Sequence, residues 1–159
     1  MINDREFLLG AAFYRLINFG EKVTITHLPN LHSALYFVET KSTKSVILFK
    51  ISTKPKSSWS FSFSNGEELA LNILHKEYFG VSVFIVLVCH KDGICCLRED
   101  LLWSILDTDA KLSSQHISVS RQLRGSYHVT GLGKQKMQQT VPQNNWPSII
   151  LLSKKNGYE

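Results

Sequence analysis

The nine mostly apolar residues 81–89, VSVFIVLVC, constrain the fold more than any other part of the sequence. A strand with one wet face would alternate apolar and polar side chains, and this run does not. It therefore predicts a strand inside a sheet, covered on both faces. A membrane helix needs about 20 apolar residues, so the run is too short to cross a bilayer and we expect no membrane association.

Capping-box pairs predict where two helices begin. Asn3 with Glu6, and Ser64 with Glu67, each place a capping side chain three residues before a glutamate that can return the bond. Further elements are predicted from periodicity: a short alternating run over 23–27, a short helix over 98–106, strands over 34–40, 45–51, 59–63, 81–89, 94–97, 117–121 and 127–130, and one short element near 149–152. This order predicts a single α+β domain over residues 1–159, with helices packed on a mixed, mostly antiparallel sheet.

The segment 59–63 alternates strictly between aromatic residues and serines. Trp59, Phe61 and Phe63 fall on one face, so we predict a strand that is buried on that side and wet on the other. The buried run 81–89 also has a set of apolar side chains at a period of two. We expect that set to share one core with the aromatics: Phe84, Val86 and Val88.

The net charge of +5 is unevenly distributed along the chain. Residues 1–109 carry 11 basic and 12 acidic side chains, whereas residues 110–159 carry seven basic ones and a single acid. A basic hairpin and loop region therefore begins at about residue 110. Such an excess favours polyanionic partners, DNA or RNA, although mild basicity also serves solubility alone. The candidate nucleic-acid-binding residues are Lys54, Lys56, Arg121, Arg124, Lys134 and Lys136.

The cysteines indicate a reducing compartment. Their number is odd, and Cys95 and Cys96 are neighbours in a predicted strand, where their side chains face opposite ways. Adjacent thiolates lack the gap that lets two of them reach one zinc ion. The first residues contain acids where a signal peptide would carry basic residues. We therefore expect buried, unreactive thiols and a cytoplasmic protein.

Glu39 and Lys50 are the residues that could carry chemistry. They lie in two strands of a predicted hairpin, with Glu6 or Glu67 available from a helix. A pair of carboxylates would hold Mg²⁺ through oxygen ligands, and a nearby lysine would stabilise a phosphate in the transition state. Glu39 is the candidate metal ligand. The competing interpretation is a solvated Glu39 that pairs with Lys41 or Lys44 at the mouth of the hairpin.

The order of elements over about residues 4–89 is helix, three strands, helix and strand, with early acids and a lysine in a strand. This order resembles that of the PD-(D/E)xK restriction-endonuclease-like nucleases. The resemblance implies that Lys50 is the motif lysine and that Glu39 is the nearest equivalent of the first acid. It also implies Mg²⁺ as the cofactor, with a helix carboxylate from Glu6 or Glu67. Leu48 stands where that family has an acid two positions before the lysine, which indicates a degenerate or inactive relative.

Two functions from different classes remain open. One is a nucleic-acid-associated protein, either a binder or a nuclease that has lost its activity. The other is a non-catalytic interaction or regulatory module whose basic surface meets an acidic protein partner. An exposed apolar patch rimmed by Trp146 and Ile149 would favour the second. The incomplete motif favours a protein that is not an active enzyme.

Overall fold

Both long helices begin at the predicted capping boxes. The computed structural model describes residues 1–78, 80–131, 136–137 and 139–152. In it, the Asn3 side chain accepts from the Glu6 amide, and Glu6 accepts from the Asn3 amide, at the start of α1 (Asp4–Ile17). Ser64 and Glu67 make the same reciprocal pair at the start of α2 (Asn65–Glu77). Each box satisfies two amides that a helix start leaves unpaired.

The remaining elements follow the predicted order, with some boundaries shifted. The helix predicted over 98–106 is shorter, although Ile105 and Leu106 beyond its end are still buried. The short element near 149–152 is the end of a helix that begins earlier. The strands are β1 (Thr24–His27), β2 (Leu35–Glu39), β3 (Lys44–Ser52), β4 (Trp59–Ser62), β5 (Ser82–Cys89), β6 (Gly93–Arg98), β7 (His116–Arg121) and β8 (Tyr127–Thr130), and the other helices are α3 (Glu99–Trp103) and α4 (Asn145–Leu151).

The strands form two sheets, and the fold is α+β as predicted. The larger sheet has five strands in the order β1-β2-β3-β5-β6, and the smaller has three in the order β4-β7-β8. Neighbours are antiparallel in both sheets except for β3 and β5, which are parallel. The apolar run 81–89 forms β5, which pairs on both sides. Its predicted position inside a sheet is confirmed.

The large sheet separates two hydrophobic cores. Alternate residues of β3 point to opposite faces, so Leu48 enters one core and Phe49 the other. The first core lies between this face, α2 and the smaller sheet, and the second is closed by α1 and α4. Among the described residues, no helix is long and apolar enough to cross a membrane.

The three aromatic residues of segment 59–63 are buried as predicted, but their partners are different. Trp59, Phe61 and Phe63 lie in the first core, and the serines between them are exposed. The residues expected beside them lie in the second core: Phe84, Val86 and Val88. Ile85, Leu87 and Cys89 take their place. The prediction of one shared core was wrong because a strand that is apolar on both faces does not reveal which face meets a given neighbour.

Replacing Phe61 by Ala should lower the free energy of unfolding by roughly 3–5 kcal/mol, because a buried phenyl group would leave a cavity in the first core. Urea denaturation followed by circular dichroism measures the change. Ser60→Ala, at the exposed neighbouring position, is the control and should stay within about 0.5 kcal/mol of the wild type. Equal stability of the two variants would contradict the packing of β4.

Candidate functional site

Lys50 and Glu67 form a buried ion pair between β3 and α2. The Nζ atom of Lys50 lies 2.8 Å from both carboxylate oxygens of Glu67. Only 10% of the Lys50 side chain and 8% of the Glu67 side chain are exposed. The two residues that the sequence placed in a catalytic group are therefore brought together, in a dry environment where each charge requires the other.

Each residue of the ion pair makes one further contact with its surroundings. The Oε1 atom of Glu67 accepts a 2.8 Å hydrogen bond from the Ser64 amide, as part of the capping box of α2. The Lys50 ammonium lies 5.0 Å from the centre of the Phe63 ring, a cation–π contact. The cap thus fixes the carboxylate, and the carboxylate holds the lysine.

Glu39 lies far from this pair. Glu39 is paired with Lys44 in the register of β2 and β3. Lys44 lies six residues before Lys50 on β3. At about 3.4 Å per residue, the two backbone positions are roughly 20 Å apart. Glu39 instead lines a shallow depression with Lys22 and Lys41. The structure thus does not bring Glu39 to Lys50, and it places Glu39 at the hairpin mouth, where the competing interpretation put it.

Glu6 is separated from the pair by the sheet. It belongs to the capping box of α1, and α1 packs on the second core. Lys50 lies two residues after Leu48 on β3, so both side chains point to the same face of the sheet. That face carries the first core and α2. Among the helix acids considered, the structure joins Glu67 and not Glu6 to Lys50.

The described residues do not gather ligands for Mg²⁺. Glu67 is bonded to Lys50, Glu39 is remote, and the motif position before the lysine holds the buried Leu48. Within the described ranges, no group of three His, Cys, Asp or Glu residues could hold a metal ion. Mg²⁺ usually requires at least one or two free carboxylates with substrate phosphates. Where the structure describes them, Glu39, Glu6 and Glu67 are therefore not arranged as a magnesium site with Lys50.

The thiols are buried and unpaired, as the sequence predicted. Burial, with a smaller effect of the Asp92 carboxylate, raises the pKa of Cys89 to about 12. Burial also raises the pKa values of Cys95 and Cys96. Because the thiolate is the reactive form, these residues contribute packing rather than chemistry.

Two loops leave the large sheet side by side at the carboxyl ends of β3 and β5. Ser52 and Cys89 are opposite each other in the parallel register, and the His90 amide donates a 3.1 Å hydrogen bond to the Ser52 carbonyl. The loop 53–58 after β3 therefore begins beside the turn 90–92 after β5. Open parallel sheets often bind ligands at this edge.

The turn between β7 and β8 joins the same end of the molecule. The Nε and Nη2 atoms of Arg121 donate to the two carboxylate oxygens of Asp92 at 2.8 and 2.7 Å. The Tyr127 hydroxyl donates to the same carboxylate at 3.1 Å. The hydrogen bond from Arg121 lowers the pKa of Asp92, which keeps that carboxylate charged. This cluster fastens the turn 122–126 to the turn 90–92.

Only some of the basic residues predicted to bind nucleic acid lie on these loops. Lys54, Lys56 and Arg124 are exposed at this end, where Lys91, which the sequence analysis did not select, joins them. We call these four exposed residues the basic end. Arg121 lies beside them, but its side chain is 10% exposed and is engaged by Asp92 rather than free in a turn. Two predicted residues lie elsewhere: Lys136 pairs with Thr130, at the other end of the β7–β8 hairpin, and Lys134 lies outside the described residues.

Comparison with known proteins supplies no relative for this chain: no family model, no curated protein and no solved structure matches it.

Glu67→Ala should lower the free energy of unfolding by about 3–5 kcal/mol, because it would leave the Lys50 charge buried without its partner. Replacing both residues with apolar ones, Lys50→Met with Glu67→Leu, should recover much of that loss. Glu77→Ala, at an exposed position of the same helix, is the control. Chemical denaturation measures all three variants. A Glu67→Ala protein as stable as the control would show that the pair contributes nothing to folding.

The lowered pKa of Asp92 predicts a pH effect with a definite sign. Its stabilising contribution is complete above the unfolded pKa of about 3.9 and is lost as the pH falls through the lower folded pKa. The melting temperature of the wild type should therefore fall more steeply between about pH 5 and about pH 2 than that of Asp92→Asn. Asp109→Asn, at an exposed position, should behave as the wild type. Parallel acid curves for all three proteins would contradict this role of Asp92.

Proposed function

We propose that the protein binds nucleic acid, DNA or RNA, through phosphate contacts made by the basic end, and that it is not an efficient nuclease. The observation that carries the proposal is the convergence of three loops that present Lys54, Lys56, Lys91 and Arg124 to solvent. Asp92, the acid among these loops, is already neutralised by Arg121. The exposed charge of this end is therefore positive.

The chemistry of the basic end suits phosphates. The Lys54 ammonium donates one 2.6 Å hydrogen bond to the Ser58 carbonyl, which positions it and leaves two of its three donors available. Contacts with the phosphate backbone supply most of the affinity of non-specific nucleic-acid binding. The opposite end of β3 is less suited, because Glu39 lies among Lys22, Lys41 and Lys44.

We also propose that the protein is a degenerate relative of the PD-(D/E)xK nucleases. The larger sheet supports this proposal: three of its strands lie between α1 and α2, Lys50 is on the third of them, and β3 pairs in parallel with β5. The fourth strand before α2, β4, belongs to the smaller sheet. The Lys50 ammonium and the Glu67 carboxylate neutralise each other, and Glu39, the candidate second carboxylate, faces Lys44 at the other end of β3. A lysine in a closed ion pair is not free to stabilise a scissile phosphate.

The alternative is an acidic protein that docks on the same basic end. The apolar patch that would favour it is not formed as expected, because Trp146 is buried and donates to the Ala12 carbonyl. Phosphate-bearing polymers therefore remain the better match for an exposed surface of positive charge. We place this function in the cytoplasm, where the three thiols would stay reduced.

Binding to a labelled oligonucleotide should be strong at low salt and should weaken steeply as salt rises. Four phosphate contacts correspond to a slope of roughly −3 to −4 in a plot of log K against log salt, or about 100-fold between about 50 and 200 mM. Lys54→Glu with Lys56→Glu should weaken binding more than tenfold (~1.4 kcal/mol or more). The matched control is Lys41→Glu with Lys44→Glu, which makes the same charge change at the opposite end of β3. Fluorescence anisotropy measures each.

Three results would contradict the proposal. Absence of binding to either DNA or RNA at low salt would remove it, and in that case capture of an acidic protein by the same surface would support the alternative. Equal losses in the two charge-reversed variants would show that the basic end is not the site. Sustained cleavage with Mg²⁺ or Mn²⁺, lost in both Lys50→Ala and Glu67→Ala, would refute the non-catalytic part of the proposal.

A further inference from the structure

A cavity of about 350 Å³ lies between α1 and the turn that joins β5 to β6. Its volume is within the range of sites that hold small molecules. The walls are largely apolar, and they include one aromatic ring, Phe7, that is 68% exposed. The other apolar residues of the walls are Leu8, Ala11, Val88 and Ile94.

Polar groups line the same cavity at a few positions. His90 is among them, and its Nδ1 atom is buried without a hydrogen-bond partner in the described part of the chain. A buried unpaired nitrogen costs folding free energy, so His90 is held in place by the packing around it. Asp4 offers an acceptor, while Arg15 and Lys91 supply positive charge.

The cavity adjoins the basic end. Lys91 belongs to both, and the His90 amide is hydrogen-bonded to Ser52, the residue from which loop 53–58 leaves the sheet. Arg5, next to Asp4 on α1, donates a 3.4 Å hydrogen bond to the Ile51 carbonyl at this same end of β3. A polymer whose phosphates lie on the basic end would therefore pass the mouth of the cavity.

We propose that this cavity receives an unpaired nucleobase of the bound strand, an inference that rests on the proposed function. A base has two apolar faces, which suit the aliphatic walls and the Phe7 ring, and a polar edge, which suits His90 and Asp4. A purely aliphatic ligand would make no use of the polar lining residues Asp4, His90 and Lys91. An inorganic phosphate would not use the apolar walls. The base, with its phosphate on Lys91, matches every part of the lining.

The test compares two single strands of equal length, one with bases and one abasic, in the same buffer at low salt. Both carry every phosphate, so the basic end contacts both equally. Wild-type protein should bind the strand with bases at least about five-fold more tightly, because stacking of one base contributes at that level. Ala11→Trp, which fills the cavity from an exposed helix position, should abolish this preference without weakening the abasic complex.

The control is Gly10→Trp, one residue away on the same helix, where a side chain would meet open space outside the lining. It should keep the wild-type preference. Phe7→Ala, which removes an exposed ring, provides a second variant that does not depend on tolerance of a new tryptophan, and it should reduce the preference.

The outcomes separate this inference from the proposed function. Equal wild-type affinity for the two strands, or a preference that survives both Ala11→Trp and Phe7→Ala, would overturn the base pocket and leave phosphate binding intact. Failure of the wild type to bind either strand would overturn the proposed function, and the base pocket with it.

Discussion

The parallel pairing of β3 with β5 is the constraint on which both proposed surfaces depend. Antiparallel neighbours can be joined by a tight turn, but parallel strands require a longer crossover, and here the segment with β4 and α2 supplies it. The crossover brings the first turn of α2 to β3, so that Glu67 meets Lys50. It also makes both strands end at one edge, so that loop 53–58 and turn 90–92 emerge together.

Two charged clusters stabilise this arrangement, each at a different place. Lys50 and Glu67 bind β3 to α2 inside the first core, where breaking the pair would strand a charge. Asp92, Arg121 and Tyr127 bind the smaller sheet to the edge of the larger one. Both clusters use basic residues that the sequence analysis assigned to function. Lys54, Lys56, Lys91 and Arg124 remain exposed on the loops of the basic end, where a polyanion could reach them.

Local patterns were enough to predict most of the fold. The capping pairs at Asn3 and Ser64 specify helix starts through contacts three residues apart, and the apolar run of β5 specifies its own burial. Long-range geometry was not predictable in the same way. Whether Glu39 reaches Lys50 depends on the register of β2 and β3, and the partner of Arg121 is 29 residues away, in the turn between β5 and β6. Neither of these two relations can be read from the spacing of residues along the chain. The sequence therefore predicted only part of the candidate site.

The most direct test of the account is a map of where a nucleic acid touches the protein. Backbone amide chemical shifts of ¹⁵N-labelled protein, titrated with a single-stranded oligonucleotide at low salt, report the contact residue by residue. We expect shifts concentrated in residues 53–58, 90–92 and 122–126, with the hairpin at 40–43 unchanged. Shifts concentrated at 40–43, or binding that leaves the three loops unchanged, would contradict it.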